Sequence, residues 1–365
     1  MRFKEKINIK KPIFSSVELN LILNNEKYYF QSEPKIVSKK SVFVTYDGLV
    51  VKNYLLDRST AFNLKGFNDK NFYLAFWKES LEKYFVCKFG KSIPYVRLSD
   101  EYCYLLIHSK WFNYSFWINA YLPRLIHFIK ENKKEKVKLL YPKNWDNIHY
   151  VQESLSFFSI DYQVIPEDSQ VFVSDLVYVQ LRNYTATFYP KSILDTSTFF
   201  KNKIQLKNQK PFRNVYLSRS KRGVRAVENE LEIRNLLMNF GFEFVLFENL
   251  TFVEQIKIMH ETKIFVSIHG AGFSNMIFMQ SKSYVVELIN RDYAKCEYTF
   301  PFWKLASATD LYYSGILCPV VDQSKILLGY GKNKKINEND FLVNQNILVP
   351  VDELEKIIKK INSTF

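Results

Sequence analysis

Residues 264–275 read Ile-Phe-Val-Ser-Ile-His-Gly-Ala-Gly-Phe-Ser-Asn, an apolar run that stops at a histidine and a glycine-rich turn. A short apolar run bounded by turn residues is typical of a strand buried in a parallel sheet. The same alternation continues on both sides. Strands are predicted at residues 214–217, 244–247 and 284–288, and helices at 227–240 and 252–260. Such alternation predicts a doubly wound parallel sheet, whose ligands bind beyond the carboxyl ends of the strands.

The N-terminal half of the chain carries a second alternation of this kind. Strands are predicted at residues 102–107, 137–140 and 162–165, and helices at 116–130 and 148–158. A polar segment, residues 183–213, contains Pro190 and Pro211 and is predicted to connect two domains. We therefore predict an α/β protein with three parts. These are a first domain over residues 1–195, a second over 196–335, and a C-terminal helical segment over 336–365 that packs back on the body.

The composition limits which classes of protein this chain can belong to. The chain has 365 residues, enough for about two domains of roughly 150 residues each. Its 47% hydrophobic and 24% charged residues exclude general disorder. The net charge of +14 favours an anionic partner, which leaves nucleotide phosphates, an acidic membrane surface, an acidic polysaccharide and nucleic acid open. The charged N-terminus and the lack of an apolar run of about 20 residues predict a cytoplasmic protein without a signal peptide or membrane span.

A basic loop follows the predicted strand at 214–217. It contains Arg219 and Arg225 and directly precedes a predicted helix. Arginine donates in a bidentate way to phosphate oxygens, and the first amides of a helix add further donors. The loop is therefore a candidate diphosphate site. A solvated basic loop without a ligand is the alternative.

The second candidate is the turn that follows Ile268. Gly270, Ala271 and Gly272 let a ligand approach the backbone closely, and His269 can bond a phosphate oxygen or a sugar hydroxyl. The spacing does not match the dinucleotide fingerprint, and no Gly-x-Ser-x-Gly is present to support a hydrolase. The alternative to a ligand-binding role is that the histidine makes its hydrogen bonds within a tight turn of the protein.

Glu287 is the third candidate, because it lies near the carboxyl end of the predicted strand at 284–288. An acidic residue in that place can accept hydrogen bonds from ribose hydroxyls, although a lone exposed glutamate is the alternative. The sequence has no Walker A loop and no Asp-x-Asp pair. We therefore predict no metal and no cofactor, with the leaving diphosphate stabilised by basic side chains and helix dipoles.

These motifs resemble glycosyltransferase family 61. The residues that carry the resemblance are Ser218-Arg219, Arg225, Asn229-Glu230, 250–255, 269–275, Phe278-Met279, 285–288, 302–306 and Tyr312-Tyr313. A weaker likeness lies earlier, at Asn113-Tyr114, Trp117 and 122–125. The resemblance implies a GT-B architecture of two Rossmann-like domains with parallel sheets. It also implies inverting transfer of a sugar from a nucleotide-sugar, a UDP-sugar, to a glycan or lipid-linked glycan acceptor.

The resemblance also implies roles for particular residues. Arg219 and Arg225 would bind the diphosphate, the 269–275 turn with Asn275 would bind the phosphates and the sugar, and Glu287 would bind the nucleoside. Donor-side residues further include Asn229 and Glu230, and the acceptor side includes Asn113, Trp117, Asn119 and Arg124. In a cytoplasmic protein these features predict synthesis of a capsule or lipopolysaccharide-type polysaccharide, with possible peripheral contact with an anionic inner membrane.

One position departs from the family pattern. Asn119 stands where the family commonly has an acidic residue, and an amide cannot serve as the general base of inverting transfer. The catalytic base is therefore unknown, and the unranked candidates are Asp100, Glu101, Asp175 and Asp292. Two further hypotheses stay open: a non-catalytic protein that binds a nucleotide-sugar or glycan, and a nucleic-acid-binding protein, for which the sequence has no recognisable module.

Overall fold

The structure is a computed structural model that describes residues 5–365 with gaps. The residues outside the description are 16, 24–26, 47, 53–54, 58–94, 108–112, 133, 168, 181–187, 208, 220–224, 296–299 and 322–343. The chain forms two compact units. The first contains Met1–Glu5 and Gln31–Lys203, and the second contains Lys6–Phe30 and Ile204–Phe365. The sequence predicts a first domain over residues 1–195, whereas residues 6–30 group with the second unit.

The first unit is built on a mixed sheet. Its strands are β3 (Lys35–Thr45), β4 (Val50–Lys52), β5 (Leu55–Leu56), β6 (Tyr95–Arg97), β7 (Cys103–Leu106), β8 (Val137–Pro142), β9 (Asp161–Ile165) and β10 (Gln170–Gln180), preceded in the chain by β1 (Glu5–Asn8) and β2 (Tyr28–Gln31). The main order is β5-β4-β3-β10-β7-β8-β9. Strands β10, β7, β8 and β9 run parallel, but β3, β4 and β5 are antiparallel neighbours. The strands predicted at 102–107, 137–140 and 162–165 are parallel neighbours, as expected. The antiparallel strands β3, β4 and β5 depart from the wholly parallel sheet that the resemblance implies.

Helices connect the parallel strands of the first unit. After α1 (Val17–Leu23), which belongs to the second unit, they are α2 (Tyr114–Phe116), a π-helical turn (Trp117–Tyr121), α3 (Leu122–Glu131), a 3-10 turn (Lys143–Trp145), α4 (His149–Leu155) and α5 (Pro190–Ile204). Helix α3 begins with Pro123 in its first turn, where proline needs no backbone donor. It buries Leu125 and Phe128 at helical spacing. The sequence pattern predicted helices at 116–130 and 148–158, close to these bounds. It treated residues 190–204 as part of a polar connecting segment, which is wrong, because they form helix α5.

The second unit contains a five-stranded parallel sheet. Its strands are β11 (Arg213–Leu217), β12 (Phe242–Val245), β13 (Thr262–Ile268), β14 (Tyr284–Asn290) and β15 (Tyr312–Cys318). The order is β12-β11-β13-β14-β15, and every neighbouring pair is parallel. This is a doubly wound topology, and it confirms the mixed α/β class with parallel strands. Its central strands are buried on both faces, as β13 and β14 show.

Helices surround this sheet. They are α6 (Glu230–Met238), a 3-10 turn (Phe247–Asn249), α7 (Phe252–Glu261), a 3-10 helix (Ala271–Phe278), α8 (Arg291–Lys295), α9 (Pro301–Ala308) and α10 (Val351–Asn362). Helix α7 begins at a capping box in which Thr251 and Glu254 satisfy each other's backbone donors. Helix α10 packs its apolar stripe against the sheet and α6. The buried residues of that stripe are Leu354, Ile357, Ile358 and Ile361.

An N-terminal strap, which lies within residues 6–30, contacts β15, the edge strand of the second unit. The amide of Ile13 donates to the Tyr313 carbonyl at 2.7 Å, and the Trp303 indole donates to the Lys10 carbonyl at 2.7 Å. The methyl carbon Cδ2 of Leu19 lies only 2.5 Å from where a Cβ on Gly315 would be. A glycine is therefore needed at this crossing. The strap covers a strand edge that would otherwise be open to pairing.

Candidate functional site

The carboxyl ends of β11 and β13 form the position where a doubly wound sheet binds its ligands. In the order β12-β11-β13-β14-β15, the chain direction across the sheet reverses between β11 and β13. The loops that leave these two strands diverge to opposite faces, and the crevice between them is the usual ligand site. Ser218 and Arg219 follow β11, and His269 and Gly270 follow β13. The structure thus brings these two predicted motifs to one edge of the sheet, and the third, Glu287, lies directly behind them.

The guanidinium of Arg219 lies directly on Gly270. Its Nη1 donates to the carbonyl of His269 at 3.3 Å, and a Cβ on Gly270 would be 2.0 Å from the same nitrogen. The φ of Gly270 is 172°, an extended conformation that any residue adopts. The glycine therefore provides space for the guanidinium and is not used for backbone freedom. Its missing side chain is what allows a half-buried arginine to rest on the turn.

The 3-10 helix that starts at Ala271 adds backbone donors to the same place. The amide of Phe273 donates to the Gly270 carbonyl at 3.0 Å, which closes the first turn. The amides before it have no acceptor within the helix, as at every helix start. Gly272 is held close to the sheet, because a Cβ there would be 2.6 Å from Leu217 Cδ2. Amides and guanidinium together form a cluster of donors suited to an anion.

Glu287 lies behind this turn, not at its surface. It is fully buried within β14, with a relative exposure of 0%. Its Oε1 lies 2.5 Å from Nδ1 of His269, and its Oε2 accepts from the Tyr313 hydroxyl at 2.6 Å. The predicted role in binding ribose is therefore corrected, since a ligand cannot reach the carboxylate. The sequence placed Glu287 near the carboxyl end of a strand but could not tell an inward from an outward side chain.

Asn275 also points into the protein. It is 0% exposed, and its amide donates to Gln255 Oε1 at 3.1 Å. Gln255 in turn donates to the carbonyls of Phe247 and Leu250, both at 3.1 Å. Asn275 thus ties the 3-10 helix to α7 and the turn before it. The predicted contact with the donor sugar is corrected to a structural role.

Arg225 and Asn229 anchor a distant segment. The Arg225 side chain donates to Asn344 Oδ1 at 3.0 Å, and its amide donates to the Asn344 carbonyl at 3.2 Å. Asn229 exchanges hydrogen bonds with the backbone of Val349, accepting at 2.9 Å and donating at 3.0 Å. These side chains hold residues 344–349 beside the start of α6. The rest of the basic loop, residues 220–224, lies outside the described residues.

Glu230 begins α6 and faces the end of β11. It accepts a hydrogen bond from the Ser218 hydroxyl at 2.6 Å. A carboxylate in the first turn of a helix is favoured by the helix dipole. Glu230 therefore fixes the residue next to Arg219, and acts on the site through Ser218.

The predicted acceptor-side residues lie together in the first unit, but several are internal. Trp117 is 0% exposed, and its indole donates to Ser154 Oγ at 2.8 Å. Asn119 is also buried and donates to Ser115 Oγ at 3.3 Å. Asn113 caps α2 by accepting from the Phe116 amide at 3.0 Å. The acceptor-side role of Trp117 stays a prediction, and the structure shows that its side chain belongs to the core.

Arg124, the last of the predicted acceptor-side residues, lies in the first turn of α3. It is half-buried, and its guanidinium carbon is 5.5 Å from the centroid of the Tyr121 ring. That geometry is a cation–π contact, which a planar guanidinium makes readily. Arg124 thus packs along its own helix.

Two of the candidate general bases are engaged in ion pairs. Hydrogen bonds from Ser174 and Arg97 lower the pKa of Asp100. Partial burial raises the pKa of Asp175, but hydrogen bonds and charges from Lys134 and Lys40 outweigh it and leave the pKa below its ordinary value. A lowered pKa makes a carboxylate a weaker proton acceptor. Glu101 and Asp292 are exposed at the surface of their units.

A polar cleft of about 560 Å³ lies within the first unit. Its ionisable lining residues are Glu33, Lys35, His127, Lys130, Glu131, Tyr189, Lys191 and Asp195. Lys130 and Asp195 form an ion pair at 2.6 Å. Burial lowers the pKa of His127, so its imidazole is neutral at pH 7 and can accept a proton. No sequence motif indicated His127 as a functional residue. The one sequence feature that points to it is its place one helical turn after Arg124.

In the part of the chain that the structure describes, no three or more His, Cys, Asp or Glu side chains are grouped to hold a metal ion. The described helices include none with the length and apolar character needed to cross a bilayer.

Comparison with known proteins finds a family that matches part of the chain. Residues 114–286 match the family model described as Glycosyltransferase 61. The match confirms the resemblance drawn from the motifs over a little less than half of the chain. The matched stretch holds both the predicted acceptor-side helices and the Arg219–Gly270 crevice.

Curated relatives carry one name, EGF domain-specific O-linked N-acetylglucosamine transferase. The rat protein (Rattus norvegicus) is 31% identical over 94 residues, which cover 24% of this chain and 17% of the relative. The chimpanzee protein (Pan troglodytes) is 33% identical over 77 residues, covering 20% and 15%. The frog protein (Xenopus laevis) is 40% identical over 47 residues, covering 13% and 9%. The chain therefore spans less than a fifth of the length of each of these relatives.

Proposed function

We propose that this protein transfers a sugar from a nucleotide-sugar donor to a glycan acceptor, and that the donor diphosphate binds against Arg219 and the 269–272 turn. The observation that carries the proposal is the contact of the Arg219 guanidinium with Gly270. This contact lies between β11 and β13, where the order in which the chain adds strands to the sheet reverses. A half-buried arginine beside a helix start offers fixed donors to an anion. The family match supplies the reaction class.

The chemistry of this crevice suits a diphosphate leaving group. Negative charge develops on the departing phosphate as the bond to the sugar breaks, and preorganised donors stabilise it. Arg219, the amides of the turn and His269 are such donors. We propose that they serve in place of a metal and that transfer inverts the anomeric carbon. We further propose that the two units form the GT-B architecture.

The donor and the biological setting follow from the relatives and the charge. The relatives are named for N-acetylglucosamine transfer, so UDP-N-acetylglucosamine is the first donor to test. For the product we propose a capsule or lipopolysaccharide-type polysaccharide, made in the cytoplasm. The net charge of +14 supports contact with an anionic membrane that carries a lipid-linked acceptor.

We propose that the acceptor binds to the first unit, at the polar cleft beside α3. Carboxylates accept from sugar hydroxyls, lysines donate to them, and the Tyr189 ring offers a flat apolar face. Neutral His127 is one residue of this cleft able to take a proton from an acceptor hydroxyl, beside the carboxylates Glu33, Glu131 and Asp195.

The donor site is tested by thermal unfolding in the presence of nucleotides and nucleotide-sugars. A ligand at 100 times its dissociation constant stabilises the fold by about 2.7 kcal/mol. We expect stabilisation by UDP or a UDP-sugar in the wild type and its loss in Arg219→Ala. Arg234→Ala is the matched control, because Arg234 is exposed on α6 and contacts Phe244. No shift with any nucleotide would refute the donor site, and a shift that survives in Arg219→Ala would move the site elsewhere.

A further inference from the structure

The polar cleft of the first unit is bounded by three elements of the fold. They are the last turn of α3, the first two turns of α5 with the residue before them, and the start of β3 with the residues before it. Lys130 on α3 pairs with Asp195 on α5 at 2.6 Å, which ties two of these walls together. The volume of about 560 Å³ lies within the range of about 300–1,000 Å³ that is usual for ligand pockets. The cleft is therefore large enough for a small ligand or for part of a larger one.

The charges of the cleft are balanced on every wall. Each wall carries one lysine and one carboxylate. These pairs are Lys130 and Glu131 on α3, Lys191 and Asp195 on α5, and Lys35 and Glu33 at the start of β3. The formal charge of this lining is therefore zero, in a chain whose net charge is +14. The basic excess of the chain does not extend to the cleft.

The other polar side chains of the cleft are uncharged at neutral pH. Burial is the main cause that lowers the pKa of His127, so its imidazole carries no charge at pH 7. Burial is also the main cause that raises the pKa of the Tyr189 phenol, which therefore keeps its proton. Ser192, in the first turn of α5, adds a hydroxyl to the lining. These groups donate and accept hydrogen bonds, as sugar hydroxyls do.

A lining of this kind favours a ligand that has many hydroxyls and no charge. A hydroxyl donates to a carboxylate and accepts from a lysine, so it can be paired on any of the three walls. A sugar carboxylate or phosphate that approached a lysine would meet the carboxylate of the same wall, and repulsion between like charges would oppose its binding. A cleft that concentrates anionic ligands is instead lined by one sign of charge.

We propose that the cleft binds an uncharged sugar unit, so that the acceptor glycan is neutral where it meets the first unit. Glycans that carry uronic acid, sialic acid or phosphate at that place are poor ligands of the cleft. This inference rests on the proposed function, which places the acceptor there. It narrows the acceptor beyond the acidic polysaccharide that the net charge of the chain left open.

A glycan array probed with the full chain tests this preference. The array carries neutral, uronic-acid-containing, sialylated and phosphorylated glycans, and binding is read in about 0.5 M salt, which screens the attraction of the basic surface for anions. We expect neutral glycans to be retained. In calorimetric titration the best of them should bind at least about tenfold more tightly than the same glycan oxidised to a uronic acid. Tyr189→Ala should lose this binding, because the ring is the flat apolar face of the cleft.

A cleft with reversed charges provides the matched comparison. Glu33→Lys combined with Glu131→Lys takes the formal charge of the lining from zero to +4, and both side chains are exposed, so the core is unchanged. We expect this variant to bind acidic glycans at least about tenfold more tightly than the wild type does. Glu135→Lys combined with Asp161→Lys is the control. It makes the same change of charge at exposed positions of the first unit that do not line the cleft, and it should keep the wild-type preference.

Three results would overturn the inference. They are acidic glycans that bind the wild type as tightly as neutral ones in about 0.5 M salt, an array that retains no glycan, and a charge-reversed cleft with the preference of the wild type. Thermal unfolding with nucleotides separates this inference from the proposed function. A preference for acidic glycans with UDP binding intact removes this inference alone. Neutral binding without binding of any nucleotide removes the proposed transfer and leaves a site for neutral glycans.

Discussion

Replacing Gly270 by alanine is expected to weaken UDP binding about 10- to 100-fold, because the new methyl group displaces the Arg219 guanidinium. The Cβ would be 2.0 Å from Arg219 Nη1, and an atom at the end of a flexible side chain must move away. The extended φ of 172° suits alanine, so the free energy of unfolding should change by less than about 1 kcal/mol. Calorimetric titration with UDP and chemical denaturation measure the two quantities.

A double-mutant cycle shows whether the loss acts through Arg219. In an Arg219→Ala background, Gly270→Ala should cost almost nothing further, because the group it displaces is already absent. Gly272→Ala is the matched control. Its Cβ would be 2.6 Å from Leu217 Cδ2, so it is expected to cost about 1–3 kcal/mol of stability through overpacking. Losses from Gly270→Ala and Arg219→Ala that simply add would contradict the proposed contact.

Replacing Trp117 by alanine is expected to lower the free energy of unfolding by about 3–5 kcal/mol. The side chain is fully buried, its indole bonds Ser154, and its ring meets that of Trp145 at 5.6 Å between centroids. The truncation leaves a cavity and removes the donor to Ser154. Denaturation monitored by far-UV circular dichroism measures the change.

The same variant distinguishes a core residue from an acceptor contact. Leu194→Ala, at an exposed position of the same unit, should change stability by less than about 0.5 kcal/mol. If Trp117→Ala kept the wild-type stability and lost only transfer, its assignment to the core would be wrong.

The sequence predicted the elements that local patterns encode. Apolar runs of the right length marked β13 and β14, and the glycine turn after Ile268 marked a site of close approach. Because parallel strands align their carboxyl ends, two motifs 50 residues apart could be placed at one edge of a sheet. The structure adds the contact of Arg219 with Gly270, which depends on a side-chain direction that spacing does not encode.

The remaining features depend on long-range pairing. Arg225 and Asn229 are joined to residues 344–349, about 120 positions away, and no local pattern indicates that partner. The strap at residues 6–30 pairs with β15 about 300 positions later. Glu287 is a polar residue in an apolar strand. Such a residue is read as a surface ligand unless its buried partners, His269 and Tyr313, are known.

The most direct test of the donor site is a crystal structure of the protein with UDP bound. We predict that the diphosphate lies at the carboxyl ends of β11 and β13, with phosphate oxygens within hydrogen-bond distance of Arg219 and of the backbone amides at 270–272. A nucleotide seated elsewhere, with the Arg219 guanidinium still resting on an unliganded Gly270 turn, would contradict this prediction.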